Sequence, residues 1–337
     1  MPIRPLAQTA ALAVATLVLA SCGASDESGD GPTGTGDGNP FAERAQTVLA
    51  NPRLTAAVRQ AEADGDTDRA RVLERLAKVP TGIWLTPEAF PAGRVGPYVA
   101  GAVGVADGAD GGKGSTVPLF VVYGIPDRDC TGGFSAGGLT DETYVPWVSE
   151  IAAAAGDRSV VVLEPDALAS SVSCGDKESR IRLLKQAVGV LDAAGVTTYV
   201  DAGHSAWVPA ATMAELLRAV DVGSVRGFAT DVANYQPLSR ERAYAAQLSK
   251  LLDGAHYVID TGRSGASSAA GTPVDDWCNP EGQSLGENPG FVDDGTGLDA
   301  LLWIKPPAES DGTCHGGPPA GDIWLDRAVR LAEDAGW

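Results

Sequence analysis

The sequence predicts an α/β barrel of seven or eight parallel strands with return helices. Three observations carry that prediction. Seven short apolar runs rich in Val and Ile do not alternate with polar residues, which is how strands buried on both faces read. Segments with helical spacing separate them, in a repeated βαβ rhythm. The chain has 337 residues, enough for the roughly 250 that such a barrel takes. An open doubly wound sheet is the competing arrangement. No Gly-x-Gly-x-x-Gly follows the first strand-like run and no Walker A pattern occurs, which removes its usual nucleotide-binding versions.

The elements follow in chain order. Residues 1–21 read as an export signal, with Arg4 followed by the apolar run Ala10–Ala20, too short for a comfortable membrane span. The run ends in Leu19-Ala20-Ser21-Cys22, a tetrad that resembles a bacterial lipobox. Cys22 is then the expected lipidation site, the mature N-terminus and the contact with a lipid bilayer; a plain cleaved signal with an incidental cysteine is the alternative. Residues 22–40 are Gly, Ser, Asp, Thr and Pro with almost nothing to bury, a flexible tether. Residues 41–337 form a single domain, beginning with a helical stretch over Phe41–Lys78.

The strand-like runs are Ile83–Leu85, Leu119–Tyr123, Val160–Leu163, Thr198–Val200, Gly227–Ala229, Tyr257–Ile259 and Leu301–Ile304. Between them, Tyr144–Ala155 is helical and stops at Gly156. Glu178–Ala194 puts Ile181, Leu184, Val188 and Leu191 on one face and stops at Gly195. Ala211–Val220 has similar spacing, and Arg240–Leu252 follows a capping candidate at Ser239. Asp322–Ala335 closes the chain. Trp147 and Trp324, on helical segments, read as core.

Composition narrows the function. Acids outnumber bases 44 to 25, a net charge of −19. A field of that sign repels phosphate backbones, so nucleic acid is excluded as a partner. Apart from Cys22, four cysteines remain (Cys130, Cys174, Cys278 and Cys314). Outside the cytoplasm an even number suggests two disulfides, with three connectivities open. No Cys-x-x-Cys pair and only three histidines argue against zinc. We expect no metal, no cofactor and a monomer.

In α/β barrels the chemistry lies past the C-terminal ends of the strands. Here six aspartates fall at such positions: Asp129, Asp166, Asp201, Asp231, Asp260 and Asp311. Any one of them reads first as a loop carboxylate capping a turn. Six on one rim repel one another, and crowding raises a carboxyl pKa so that one acid stays protonated near neutrality. Trp84, Trp207, Trp277 and Trp303 join them in or just after strand-like runs. Each alone reads equally as core; together with the acids they are flat platforms for sugar rings. Acids and indoles without a metal set suit glycoside hydrolysis.

Tyr123–Cys130 and Leu163–Leu168 resemble the two signature motifs of glycoside hydrolase family 6, the inverting cellulases. Further pieces agree in order: Asp201–Trp207, Gly227–Tyr235, Ile259–Gly265, Asp276–Pro280 and Leu302–Gly312. The resemblance implies a distorted seven-stranded parallel α/β barrel, a TIM-like single catalytic domain. It implies a β-1,4-glucan substrate, with Asp166 as general acid and Asp129 as the neighbour that raises its pKa. Asp311 matches the aspartate proposed as base, Tyr123 the residue that distorts the sugar, and Ser135 a relay for the water's proton. Trp84, Asp201, His204, Trp207, Asn234, Trp277, Lys305 and Glu309 match sugar-binding positions. The disulfides map onto Cys130–Cys174 and Cys278–Cys314. Inversion further requires acid and base carboxyls roughly 6.5–9.5 Å apart.

One position departs from the family. Asp231 stands where relatives usually carry Asn, an added charge expected to act on sugar binding or on the pH optimum. Short loops favour internal over terminal cleavage, since only 25 residues follow Gly312. An exo-acting cellobiohydrolase and a non-catalytic surface glycan-binding lipoprotein are the alternatives. The expected location is the outer face of the membrane or the medium.

Overall fold

The computed structural model describes residues 38–42, 44–108, 116–130, 133–265, 271–273 and 275–337. The export signal, Cys22 and most of the tether lie outside the described residues. The strands are β1 (Ala45–Gln46), β2 (Ile83–Leu85), β3 (Thr116–Val117), β4 (Leu119–Val122), β5 (Val160–Leu163), β6 (Thr197–Asp201), β7 (Gly227–Thr230), β8 (His256–Asp260), β9 (Gly290–Phe291) and β10 (Leu298–Leu302). The helices are α1 (Pro52–Ala63), α2 (Thr67–Ala77), α3 (Val95–Asp107), α4 (Asp141–Ala155), α5 (Ala167–Ser170), α6 (Lys177–Ala193), α7 (Ala210–Ala219), α8 (Leu238–Leu251) and α9 (Leu325–Asp334).

The main sheet runs β2-β4-β5-β6-β7-β8-β10-β9. Its first seven strands are parallel and β9 is antiparallel. The sheet curls into a distorted seven-stranded barrel, as expected. No ladder joins β2 to β10 among the described residues. Instead the Gly82 N–H donates to the Trp303 carbonyl at 3.0 Å, and the Trp84 indole N–H to the Ile304 carbonyl at 3.0 Å. A Cβ on Gly82 would stand 2.4 Å from the Ile304 oxygen, so only glycine lets the seam close this tightly.

The unbroken apolar runs are explained by what each face meets. Leu119, Val121, Val160, Val162, Tyr199, Ala229, Val258, Ala300 and Leu302 pack inside the barrel with Phe41. Their neighbours Phe120, Val122, Val161, Leu163, Val200, Phe228 and Ile259 pack outward against the helices. Both faces are buried, so no polar alternation survives.

The helices mostly follow the sequence reading, with corrections. Thr140 and Thr143 form a capping box at the start of α4, and Gly156 ends it at φ 55°. On α6, Leu184, Val188 and Leu191 are buried and Ile181 packs at the edge of the same cluster. Ser239 is not a cap: α8 starts one residue earlier, after Pro237, whose fixed φ suits a helix entry. The N-terminal stretch is two helices behind a short strand. α3 lacked any signal, because its three glycines and proline weaken it; burial of Val95, Val99, Ala102, Val103 and Ala106 outweighs that preference. Trp147 is fully buried, whereas Trp324 is half-buried with Arg327 and Arg330 near its ring.

Candidate active site

The loops after the strand C-termini enclose a cleft of about 400 Å³. Trp84, Tyr123, Asp129, Ser135, Asp166 and His204 line one part of it; Trp207, Asn234, Trp277, Lys305 and Asp311 line another, with Asp275 among the remaining wall residues. The first eleven were all expected at the site. Residues from the loops after six different strands meet there, which only the curl of the sheet accomplishes.

The Asp129 loop is braced from within. Buried Arg128 donates to the Tyr123 carbonyl at 2.6 Å and the Ser135 carbonyl at 2.8 Å, and pairs with Glu88 at 3.1 Å. Asp129 itself accepts from the Tyr123 hydroxyl and the Ser135 backbone N–H, both at 2.9 Å. A Cβ on Gly133 would stand 2.6 Å from the Asp129 carboxylate, so a glycine there leaves the acid its room. The Cys130–Cys174 disulfide ties this loop to the segment after α5. Both expected disulfides form, the second as Cys278–Cys314.

Asp127, Asp129, Glu164, Asp166 and Asp231 all have left-handed backbone, with φ between 50° and 68°. Non-glycine residues in that region carry strain, which clusters where side chains must be aimed. Glu164, fully buried, accepts from the Gly124 N–H at 2.9 Å and so joins the ends of β4 and β5. Burial raises its pKa to about 7.

Two carboxyls at the cleft are driven in opposite directions. Burial, then the charges of Asp201 and Asp129, push the Asp166 pKa well above the ordinary carboxylate value. Burial alone would raise Asp311 too, but Arg263, Lys305 and the Tyr235 hydroxyl outweigh it and hold Asp311 below that value. Asp311 accepts from Arg263 at 2.8 Å, Tyr235 at 2.5 Å and the Asn279 backbone N–H at 3.1 Å. Arg263, Tyr235 and Asn279 were not singled out as site residues. Their signal was an arginine, a tyrosine and an asparagine inside the Ile259–Gly265, Gly227–Tyr235 and Asp276–Pro280 motifs, next to no obvious partner in sequence.

Aromatic rings border the acids. Trp84 meets Tyr123 edge-on with centroids 5.2 Å apart, and the Lys305 ammonium lies 5.2 Å from the Trp84 ring. His204 lies 5.6 Å from Trp207; burial, then the charge of Arg240, lower its pKa to about 4 and leave it neutral. Trp277 and Phe134, exposed at 37% and 50%, stand 6.2 Å apart.

Several expected members lie elsewhere. Asp201 is 1% exposed and lies behind the cleft, where it accepts from the backbone N–H groups of Asp166 and Gly203. Asp260 is buried likewise and accepts from Ala233, Gly262 and Lys305. Glu309 is half-buried beside Lys305 at 3.8 Å and outside the cleft lining. Trp303 points away from the cleft, stacks on Trp337 and packs among α1, α2 and α9 residues. Asp231 is fully buried, and both its oxygens face the Gln236 N–H at 3.1 Å. It cannot touch a ligand in the cleft, and burial, then the charge of Glu241, raise its pKa well above the usual value. Among the described residues, no group of three or more His, Cys, Asp or Glu side chains is arranged to hold a metal ion.

An acidic, tryptophan-walled cleft over the strand ends of a parallel sheet defines a parallel α/β barrel protein with its candidate site at the C-terminal rim. Within that class, the chain belongs to the glycosyl hydrolases family 6, whose model matches residues 43–335. Endoglucanase A of Cellulomonas fimi is 41% identical over 285 residues, covering 84% of this chain and 60% of its own length. This chain therefore spans about three-fifths of that relative. Exoglucanase 3 of Agaricus bisporus is 34% identical over 351 residues, covering 90% of this chain and 76% of its own. The solved endoglucanase Cel6 from Mycobacterium tuberculosis, in complex with a thio-linked cellobioside, superposes with a TM-score of 0.80 at 38% identity, covering 89% of this chain and all of that one.

Proposed function

We propose that the chain is an inverting endo-β-1,4-glucanase acting on cellulose or related glucans. The observation that carries the reading is the split between two carboxyls at one cleft, Asp166 driven toward its protonated form and Asp311 toward its ionised form. Environments that push two acids apart mark the acid and the charged partner of a hydrolytic pair.

Asp166 is the general acid and gives its proton to the departing glycosidic oxygen. Asp129 keeps a negative charge near it, which supports both the raised pKa and the positive charge of the transition state. Tyr123, held by Asp129, presses on the sugar at the cleavage point. Asp311 is the fixed negative charge toward which the attacking water's proton departs. Committed to Arg263, Tyr235 and Asn279, it has a low proton affinity, which favours a relay through solvent and Ser135 over direct transfer. Trp84, Trp207 and Trp277 stack on sugar rings, while His204, Asn234 and Lys305 offer polar contacts. Asp201 serves through Asp166 rather than by touching the sugar.

Internal cleavage is supported by loop length: Cys130 and Cys174 are only 44 positions apart. Two disulfides suit an oxidising compartment, and the lipobox resemblance extends the proposal to a lipid anchor on Cys22. Loss of membrane association on Cys22→Ala checks the anchor.

Product analysis tests the main reading. A soluble β-1,4-glucan loses viscosity faster than reducing ends appear, and the first product is the α-anomer by NMR. Asp166→Asn folds and loses about 10²–10⁴-fold in kcat, the usual worth of a general acid. A β-anomer, or near-normal turnover by that variant, overturns the assignment; cellobiose as the sole early product replaces endo by exo action.

A further inference from the structure

We infer that Glu241 and Tyr244, one turn apart on α8, hold the Trp207 platform from behind and so set the affinity of the cleft for sugar. Neither side chain lines the cleft; both are positioning residues that act on binding without touching the ligand. That the ligand is a glucan rests on the function proposed above.

The segment over 202–208 leaves β6 and carries His204 and Trp207 into the cleft wall. Its first residues are held by the sheet. The Ala202 N–H donates to the Ala229 carbonyl at 2.9 Å, and the Gly203 carbonyl accepts from the Asp231 N–H at 2.9 Å. Past Gly203 the anchors come from α8. Glu241 accepts from the Ser205 N–H at 2.9 Å. The Tyr244 hydroxyl stands 3.0 Å from the Val208 carbonyl and 3.3 Å from the Ala202 carbonyl, so its one proton joins the two ends of the segment. Between them the Trp207 N–H donates to the His204 carbonyl at 3.0 Å, which closes the turn beneath the half-buried indole.

Packing alone does not account for the two residues. Glu241 is fully buried and Tyr244 is 7% exposed, on a helix whose other buried residues include the apolar core members Ala245 and Leu248. A buried carboxyl opposes folding unless it is paired, and phenylalanine would fill the place of Tyr244 with no hydroxyl to satisfy. Both polar tips are spent on the same loop. Freed of them, its N–H and carbonyl groups would turn toward water, and Trp207 would lose the fixed pose that makes stacking on a sugar ring cheap in entropy.

Calorimetric titration with cellotetraose tests this, using the full chain carrying Asp166→Asn so that the probe stays uncut. Adding Tyr244→Phe should weaken binding about fivefold, the worth of one buried hydrogen bond. Glu241→Ala should do the same, whereas Glu241→Gln keeps an acceptor for Ser205 and should bind nearly as its parent does. Glu241 also lies within reach of the Asp231 charge, so Tyr244→Phe is the cleaner probe. A double-mutant cycle separates the platform from the fold at large. In a Trp207→Ala background, or Trp207→Phe should that bind too weakly to titrate, Tyr244→Phe should cost markedly less than it does alone. With Asp166 intact, Tyr244→Phe should raise KM and leave kcat within about twofold, as loss of binding common to ground and transition states does. Thermal melting monitors folding, and the Glu241 variants repeat the cycle if Tyr244→Phe fails to fold. Unchanged affinity, an equal loss in both backgrounds, or a fall in kcat with KM unmoved overturns the inference and leaves the glucanase reading intact. No binding of cellotetraose by the Asp166→Asn chain itself overturns that reading, and this inference with it.

Discussion

The backbone N–H of Asp166 donates to the carboxylate of Asp201 at 2.9 Å, and the same oxygen accepts from Gly203 at 3.0 Å. Asp166 has left-handed backbone, with φ 68°. The buried acid therefore both anchors a strained turn and lends its charge to the residue on that turn.

The two contributions separate by substitution. Asp201→Ala removes the anchor, and kcat falls by roughly 10²-fold, the effect of displacing a reacting group by about 1 Å. Asp201→Asn keeps an acceptor and loses only the charge, so kcat falls less. Its alkaline limb moves to lower pH, because one of the charges that raise the Asp166 pKa is gone. Equal losses in the two variants, with an unmoved limb, would show that Asp201 acts on the fold alone.

Asp129→Asn makes a parallel test from the other side of Asp166. The Asp129 charge also raises the Asp166 pKa. Its removal should shift the alkaline limb of kcat/KM downward and lower kcat. Titration of rate on a soluble cellulose derivative against pH reads both, and an upward shift would contradict the assignment.

Arg263 is the charge that keeps Asp311 ionised. The pair is buried, with Arg263 2% and Asp311 7% exposed. Arg263→Ala leaves an uncompensated carboxylate inside the protein and should destabilise it by about 3–5 kcal/mol. Arg263→Lys restores charge without the fork that also reaches the Ala233 carbonyl, so it should recover stability in part. Denaturant unfolding at pH 7 measures both.

Asp231 and the pH dependence of stability belong together. Glu164 and Asp201 have folded-state pKa values of about 7, and that of Asp231 is also raised. Their native forms hold protons that the unfolded chain has already released above pH 4–5, so stability from these groups declines as pH climbs through 7. Asp311 and Asp299 are shifted down, and their contribution fades on acidification below about 4, the ordinary Asp value. Melting temperature should therefore peak near pH 5 and drop toward pH 9. Asp231→Asn, an uncharged near-isostere, should match the parent at pH 5 and melt higher at pH 9. Equal melting at both values would mean that Asp231 is ionised in the native protein.

The seven barrel strands and most of their return helices were legible because burial on both faces writes an unbroken apolar run at each strand. α3 was not, since its glycines hide a helix that only its packing against α4 sustains. The site was legible as residue types at strand ends, but not as an arrangement. Trp84 and Trp303 both fall in strand-like apolar runs, yet one lines the cleft while the other packs beneath α9. Asp166 and Asp231 read alike along the chain, yet only Asp166 reaches the cleft.

Local chain chemistry settled the fold class and the family and pointed to the acids at the strand ends, because periodicity, turn residues and motif order are properties of neighbours in sequence. Which acid holds a proton, which holds a charge and which merely holds a loop was decided by tertiary structure alone. A carboxyl's proton affinity depends on water excluded and charges brought close through space, and Arg263, Asp201 and Asp129 reach their partners only once the sheet has curled.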